Sequence, residues 1–138
     1  MDYPIRYTLL ALAIITTIGC KDKPGTRDIP VPVGSKGGAA TLKITPKHHE
    51  RNIDSCMVYI AYARELPANG KYDDSARCVQ ENGKPVATFT GLKSGAYYLY
   101  GYGYDPAIAG YSHGGNGYII EKETVIEYVL NISGHVGH

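Results

Sequence analysis

The stretch Val86-Ala87-Thr88-Phe89-Thr90-Gly91-Leu92-Lys93-Ser94-Gly95-Ala96-Tyr97-Tyr98-Leu99-Tyr100-Gly101-Tyr102-Gly103-Tyr104-Asp105 leaves a chain like this one few folds to choose from. Two extended runs flank the turn-forming segment Gly91-Leu92-Lys93-Ser94-Gly95. In the second run Tyr97, Leu99, Gly101 and Gly103 fall on one face and Tyr98, Tyr100, Tyr102 and Tyr104 on the other, because side chains alternate along a strand. A helix would scatter these tyrosines around its circumference, whereas a strand collects them in a row. The row concentrates a bias of the whole chain, in which 13 of 138 residues are Tyr against one Phe and no Trp. Tyrosine packs like phenylalanine but keeps a polar tip, so it suits half-buried strands and wet binding surfaces alike.

The same alternation recurs on both sides of this stretch. Ala40, Leu42 and Ile44 oppose Thr41, Lys43 and Thr45 in a half-buried strand that Pro46 is expected to end. Across 55–63, Cys56, Val58, Ile60 and Tyr62 oppose Met57, Tyr59, Ala61 and Ala63. Both of those faces are apolar, which predicts a strand near the centre of its sheet. Residues 64–77 read as a long loop, 78–81 as a short strand, and Asn82-Gly83 as a hairpin turn before a strand opened by Pro85. Residues 106–116 read as a glycine-rich loop, and a further strand starts at Gly117. Thr124, Ile126, Tyr128, Leu130 and Ile132 then alternate against Glu123, Val125, Glu127, Val129 and Asn131. About seven short strands without a helix predict an all-β fold, a single antiparallel β-sandwich over 39–133 with a tail at 134–138. A chain of 138 residues is long enough for one such domain with a real core.

The N-terminus reads as an address. Residues 1–8 carry Arg6, and 9–18 form an apolar run too short to span a bilayer as a mature helix. Thr17-Ile18-Gly19-Cys20 resembles a bacterial lipoprotein lipobox, with Thr17 where Leu is usual. That resemblance implies a signal peptide at 1–19, cleavage before Cys20 and acylation of the Cys20 thiol, and more than one acyl chain gives stable anchoring. Lys21 follows the cysteine in place of the Asp that marks inner-membrane retention in enteric lipoproteins. The address implied is the bacterial cell envelope, as an outer-membrane lipoprotein on the periplasmic or the surface face. Residues 20–38, rich in Pro and Gly (Pro24, Gly25, Pro30, Pro32, Gly34, Gly37, Gly38), then form the lipidated cysteine and a flexible linker.

Thr88-Phe89-Thr90-Gly91-Leu92-Lys93-Ser94-Gly95-Ala96-Tyr97-Tyr98-Leu99 resembles a signature of prealbumin-like domains, the transthyretin-like and carboxypeptidase-regulatory-like sandwiches. The resemblance implies that Phe89, Leu92, Tyr97 and Leu99 are core. The chain as a whole resembles small single-domain lipoproteins of Bacteroidota, a likeness that brings no activity with it. Enzymes of the prealbumin-like fold are not matched. The hydroxyisourate hydrolases end in Tyr-Arg-Gly-Ser where this sequence ends Gly134-His135-Val136-Gly137-His138, and intradiol dioxygenases use two Tyr and two His on iron in a much longer chain.

Candidate sites follow from residue chemistry. Tyr98, Tyr100, Tyr102 and Tyr104, about 7 Å apart along one face, are suited to stacking on sugar rings or to the centre of a protein interface. The alternatives are that loops 64–77 or 106–116 cover them, or that they form a cross-strand ladder. Cys56 and Cys78 are an even pair in an exported domain, which points to a disulfide worth about 3 kcal/mol; two buried free thiols are the other reading. His48 and His49, with Glu50 and His113, are competent metal ligands. Neighbours on an extended chain point to opposite sides, however, so no metal site is expected, and His135 and His138 in the tail carry no functional weight. Asp73, Asp74 and Asp105 have carboxylates suited to Ca²⁺ but match no calcium-loop spacing.

No nucleophile–base pattern, phosphate-cradling glycine loop or paired carboxylates stand out, so neither an enzyme nor a cofactor is expected. A net charge of +1 gives no basic stripe for nucleic acid. The expectation is a non-enzymatic, lipid-anchored envelope protein, an accessory or binding module, with a glycan-binding surface lipoprotein that uses the tyrosine face as the alternative. Its partners would be the membrane, through the anchor, and a glycan or an envelope protein.

Overall fold

The computed structural model describes residues 30–135. The expected signal peptide, Cys20, most of the linker and His138 lie outside the described residues. Ten strands follow one another without a helix between them: β1 (Lys36–His48), β2 (Arg51–Asn52), β3 (Ser55–Ala61), β4 (Asp74–Arg77), β5 (Val79–Glu81), β6 (Lys84–Leu92), β7 (Gly95–Asp105), β8 (Gly110–Ile120), β9 (Val125–Asn131) and β10 (Gly134–His135). They form two sheets, β10-β8-β7-β3-β4 and β2-β1-β6-β5 with β9 on β1, packed as a sandwich. The all-β sandwich is as expected. The count is higher than seven because three strands of two to four residues, β2, β4 and β10, are too short to show a period in sequence.

β7 is the spine of the first sheet, pairing antiparallel with β3 from Ser55↔Tyr104 to Ala61↔Tyr98 and with β8 from Gly95↔Ile120 to Asp105↔Gly110. Its burial alternates as the pattern requires: Tyr97, Leu99, Gly101, Gly103 and Asp105 are buried, while Tyr98 and Tyr100 are half-buried and Tyr102 and Tyr104 exposed. The glycines on the inward face permit close packing. A Cβ at Gly101 would sit 3.0 Å from Ile132 Cγ2, and one at Gly103 would sit 2.9 Å from Cys56 Cα.

The second sheet is built on β1, whose Ala40, Leu42 and Ile44 are fully buried. β1 runs antiparallel to β6 on one side and parallel to β9 on the other, from Thr41↔Val125 to Lys47↔Asn131. Pro46 does not end this strand. It lies between Ile44, where the β6 register stops, and Lys47, where the β2 register starts, so its missing N–H breaks no ladder bond. Phe89, Leu92, Tyr97 and Leu99, the four residues expected in the core, are all buried there with Leu42, Val58, Ile60, Ile120, Leu130 and Ile132.

Three expectations about irregular segments are corrected. Residues 110–116 are the first half of β8, hydrogen-bonded along β7, because their glycines allow close strand packing where they suggested a loop; a Cβ on Gly115 would collide with the Leu99 carbonyl. The 64–77 loop ends in β4, which extends the sheet beyond β3. The chain is docked well before residue 39: the Gly34 N–H donates to Ala96 O (2.8 Å) and the Ala96 N–H to Pro32 O (2.9 Å). Gly34 has no room for a side chain because the Tyr97 ring occupies that space.

Tyr97 joins this strap to the sandwich. Its ring is fully buried, and its hydroxyl donates to Lys93 O (2.6 Å) while also bonding the Ser35 backbone (3.1 Å). A Tyr97→Phe substitution keeps the ring but leaves those backbone groups without their partner, which costs about 1–3 kcal/mol. Urea unfolding of Tyr97→Phe and of Gly34→Ala should both show lower midpoints, and a Gly34→Ala midpoint equal to that of the parent would contradict the docked strap.

Candidate functional site

The outward face of β7 carries an aromatic platform. Alternation supplies Tyr98, Tyr100, Tyr102 and Tyr104, and the register adds Tyr59 of β3 opposite Tyr100, Tyr111 of β8 opposite Tyr104, and His113 opposite Tyr102. The rings meet in two groups. Tyr59 and Tyr100 have centroids 6.2 Å apart, Tyr100 and His113 6.0 Å, Tyr102 and Tyr111 5.2 Å in a stacked pair, and Tyr104 and Tyr111 5.4 Å edge to face. Such offset and edge-on pairs are the preferred aromatic geometries.

The two ends of the platform differ. Tyr72, from the segment ahead of β4, stacks on Tyr100 at 5.9 Å and leans on Tyr59 at 5.4 Å. Burial, and behind it the neighbouring phenols, hold the Tyr72 and Tyr100 hydroxyls above the usual tyrosine range. At the other end Tyr102, Tyr104 and Tyr111 are 37%, 39% and 45% exposed and contiguous. The loop at 106–116 does not cover them, since most of it is β8 itself. Tyr100, Tyr102 and Tyr104 therefore pair across strands with Tyr59, His113 and Tyr111, half-sheltered by Tyr72 at Tyr100 and open toward Tyr104, while Tyr98 is half-buried outside these ring contacts. A shallow depression beside Tyr59 and Tyr72 is rimmed by Asp73, Asp74 and Ser75. Asp73 accepts the Tyr62 N–H (2.7 Å), Asp74 accepts the Ser75 N–H (2.8 Å), and Asp105 lies elsewhere, so the three carboxylates are not brought together.

Asp105 closes β7 on the inward face, 2% exposed. Its Oδ2 accepts the His48 Nδ1–H (2.6 Å) and an Arg51 Nη2–H (2.8 Å), and its Oδ1 the Ala107 N–H (2.9 Å). Burial alone would raise this carboxyl, but the hydrogen bonds from His48, Ala107 and Arg51 pull it down to about 2. An ionised carboxylate only accepts, so the His48 Nδ1 carries the shared proton and Nε2 is the ring nitrogen that Asp105 does not engage. That Nε2 is buried with no hydrogen-bond partner, and so is Ser112 Oγ.

His48 and His49 do not point apart as expected for extended chain. The pairs Lys47↔Asn52 and His48↔Arg51 leave a two-residue hairpin loop, His49-Glu50, with φ of +49° and +67°. That is the geometry of a type I′ turn, and it swings the His49 ring back to 4.1 Å from that of His48. His135, placed by β10 opposite Ser112, lies with its ring 4.7 Å from His48. One ring nitrogen from each of His48, His49 and His135 lies within 4.8 Å of the other two. Glu50 and His113 do not join this group. The signal for it in sequence was three histidines and one aspartate, but the contacts span 57 positions between His48 and Asp105.

Cys56 and Cys78 are two buried free thiols, not the expected bridge. They stand side by side because the β3–β4 register runs on past Met57↔Arg77, and the Cys78 N–H donates to Cys56 O (2.9 Å). The hydrogen bond with Cys56 and burial together raise the Cys78 thiol.

No family model matches the chain, and neither does any curated protein. The free-thiol state has a direct check. In native protein from which the N-terminal cysteine is excluded by Cys20→Ser, both thiols should react slowly with an aromatic disulfide reagent, and two equivalents should react at once on denaturation; fewer than two would mean they are bridged.

Proposed function

We propose that this protein is a non-enzymatic binding module of the bacterial envelope, anchored through acylated Cys20, whose aromatic platform docks a saccharide. The observation that carries the reading is the contiguous exposure of Tyr102, Tyr104 and Tyr111 on one rigid sheet face. Sugar rings present apolar C–H faces and a rim of hydroxyls. Tyrosine rings offer flat apolar area with polar tips at low conformational cost. Placing the platform on strands rather than loops keeps its spacing constant. The prealbumin-like resemblance and the lipobox-like Thr17-Ile18-Gly19-Cys20 support the same setting, a small sandwich held at an outer membrane.

Titration with a panel of envelope-type oligosaccharides, followed by tyrosine fluorescence and chemical shifts, should perturb Tyr102, Tyr104 and Tyr111 first. Removing one stacking ring costs about 1 kcal/mol beyond its area, so Tyr102→Ala and Tyr104→Ala should each weaken binding about tenfold. An unperturbed platform across the panel would leave a protein partner as the occupant and defeat the glycan reading. Incorporation of labelled palmitate, lost in Cys20→Ala, tests the anchor separately.

A further inference from the structure

We infer that His48, His49 and His135 form a binding site for a divalent transition-metal ion of the zinc type, with Asp105 as the positioning residue behind His48. The site is remote from the tyrosine platform in chemistry and does not depend on it.

His48 Nε2 is shut away from solvent with no partner, and leaving a buried polar atom unsatisfied costs about 1–3 kcal/mol. Buried polar atoms are satisfied in the great majority of cases, so an orphan asks for a reason. Here the orphan is an imidazole nitrogen, the commonest metal-ligating atom of proteins. Its other nitrogen donates to a buried carboxylate at 2.6 Å. That carboxylate–histidine arrangement fixes ring orientation and raises ligand basicity at metal sites.

Two-residue hairpins of this type favour Asn-Gly or Asp-Gly, because both central residues need positive φ. This chain places His49 and Glu50 there, accepting strain of the kind that persists where a site requires it. What the strain achieves is to fold an exposed imidazole over a buried one. β10 then brings a third, His135, from the far end of the chain.

The geometry is close to closure. Two nitrogens bound to one tetrahedral zinc ion at about 2.0–2.1 Å stand about 3.4 Å apart, and the three lie within 4.8 Å of one another. His49 and His135 are exposed and can rotate to close the difference, while His48 is held by Asp105. An all-imidazole set without a carboxylate ligand suits zinc, copper or nickel, and not the hard cations calcium and magnesium. Three protein ligands leave one position of a tetrahedral ion for water or an incoming ligand. Ser112, the residue opposite His135, adds a second unsatisfied buried polar atom, its Oγ, at this end of the sandwich.

The test is titration of the chelator-treated full chain with Zn²⁺ alone, by calorimetry and by thermal melting, and with Co²⁺ for its visible spectrum. One equivalent should bind and raise the melting temperature. His49→Ala and His135→Ala, both exposed positions, should weaken binding at least tenfold and abolish the shift, and His138→Ala should change neither. Asp105→Asn should weaken binding about 10- to 100-fold and move the Co²⁺ bands, a signature that a purely structural carboxylate would not alter. Zinc binding that survives His49→Ala, or is lost in His138→Ala, would assign the ion to the tail alone and overturn the site, as would the absence of saturable binding.

Discussion

The register of β7 against its two neighbours is the constraint from which the rest of the molecule follows. A strand sends alternate residues to opposite faces, so a one-residue slip would exchange every inward side chain for an outward one. In the register observed, Tyr97 and Leu99 enter the core, Gly101 and Gly103 let β9 and β3 approach, and Asp105 ends the strand still pointing inward. The four intervening tyrosines are thereby forced outward together. Slipping by one would bury a row of phenols and expose the core, and the glycines would no longer sit where Ile132 and Cys56 press closest. Core, platform and the Asp105–His48 contact are therefore set by one alignment and are not independent inventions of the sequence.

Legibility in the sequence tracked the range of the interaction that decides each feature. Strand character is local, a matter of which residues alternate, and β1, β3, β6, β7 and β9 announce it clearly. The inward set Phe89, Leu92, Tyr97 and Leu99 follows from the same alternation. Glycine misled in both directions. In Gly110–Ile120 it suggested a loop, since a glycine run has no side-chain pattern, though Gly115 is required where the Leu99 carbonyl comes close. In the segment ahead of β1 it suggested a tether, although Gly34 is the one residue that fits beneath the Tyr97 ring. In each case the reason for the glycine is an atom far away in sequence.

The histidine cluster was the least legible feature, for a related reason. The rule that adjacent side chains diverge holds for extended backbone, and His48 is extended. His49 is not, because the two-residue loop demands positive φ there. Nothing in His-His-Glu resembles a hairpin turn, so the backbone that turns the rings together is imposed by the pairing of β1 with β2 and cannot be read from propensity. His135 is further still from inference: its strand has two residues, and its value lies wholly in lying opposite Ser112.

The two ends of β7 also illustrate how polar groups are treated in a small sandwich. At the first end, the Tyr97 hydroxyl is buried but saturated, bonded to Lys93 and Ser35, and the result is a strap that closes the fold. At the other end, Asp105 is saturated by His48, Arg51 and Ala107, yet the histidine it holds is left with an unsatisfied nitrogen. Both groups are inward residues of the same strand, and both are surrounded by enough polar atoms to be quenched. The first network is complete and the second is not. A buried imidazole oriented by Asp105 and left open, beside two more imidazoles, is the asymmetry that the proposed ion would resolve.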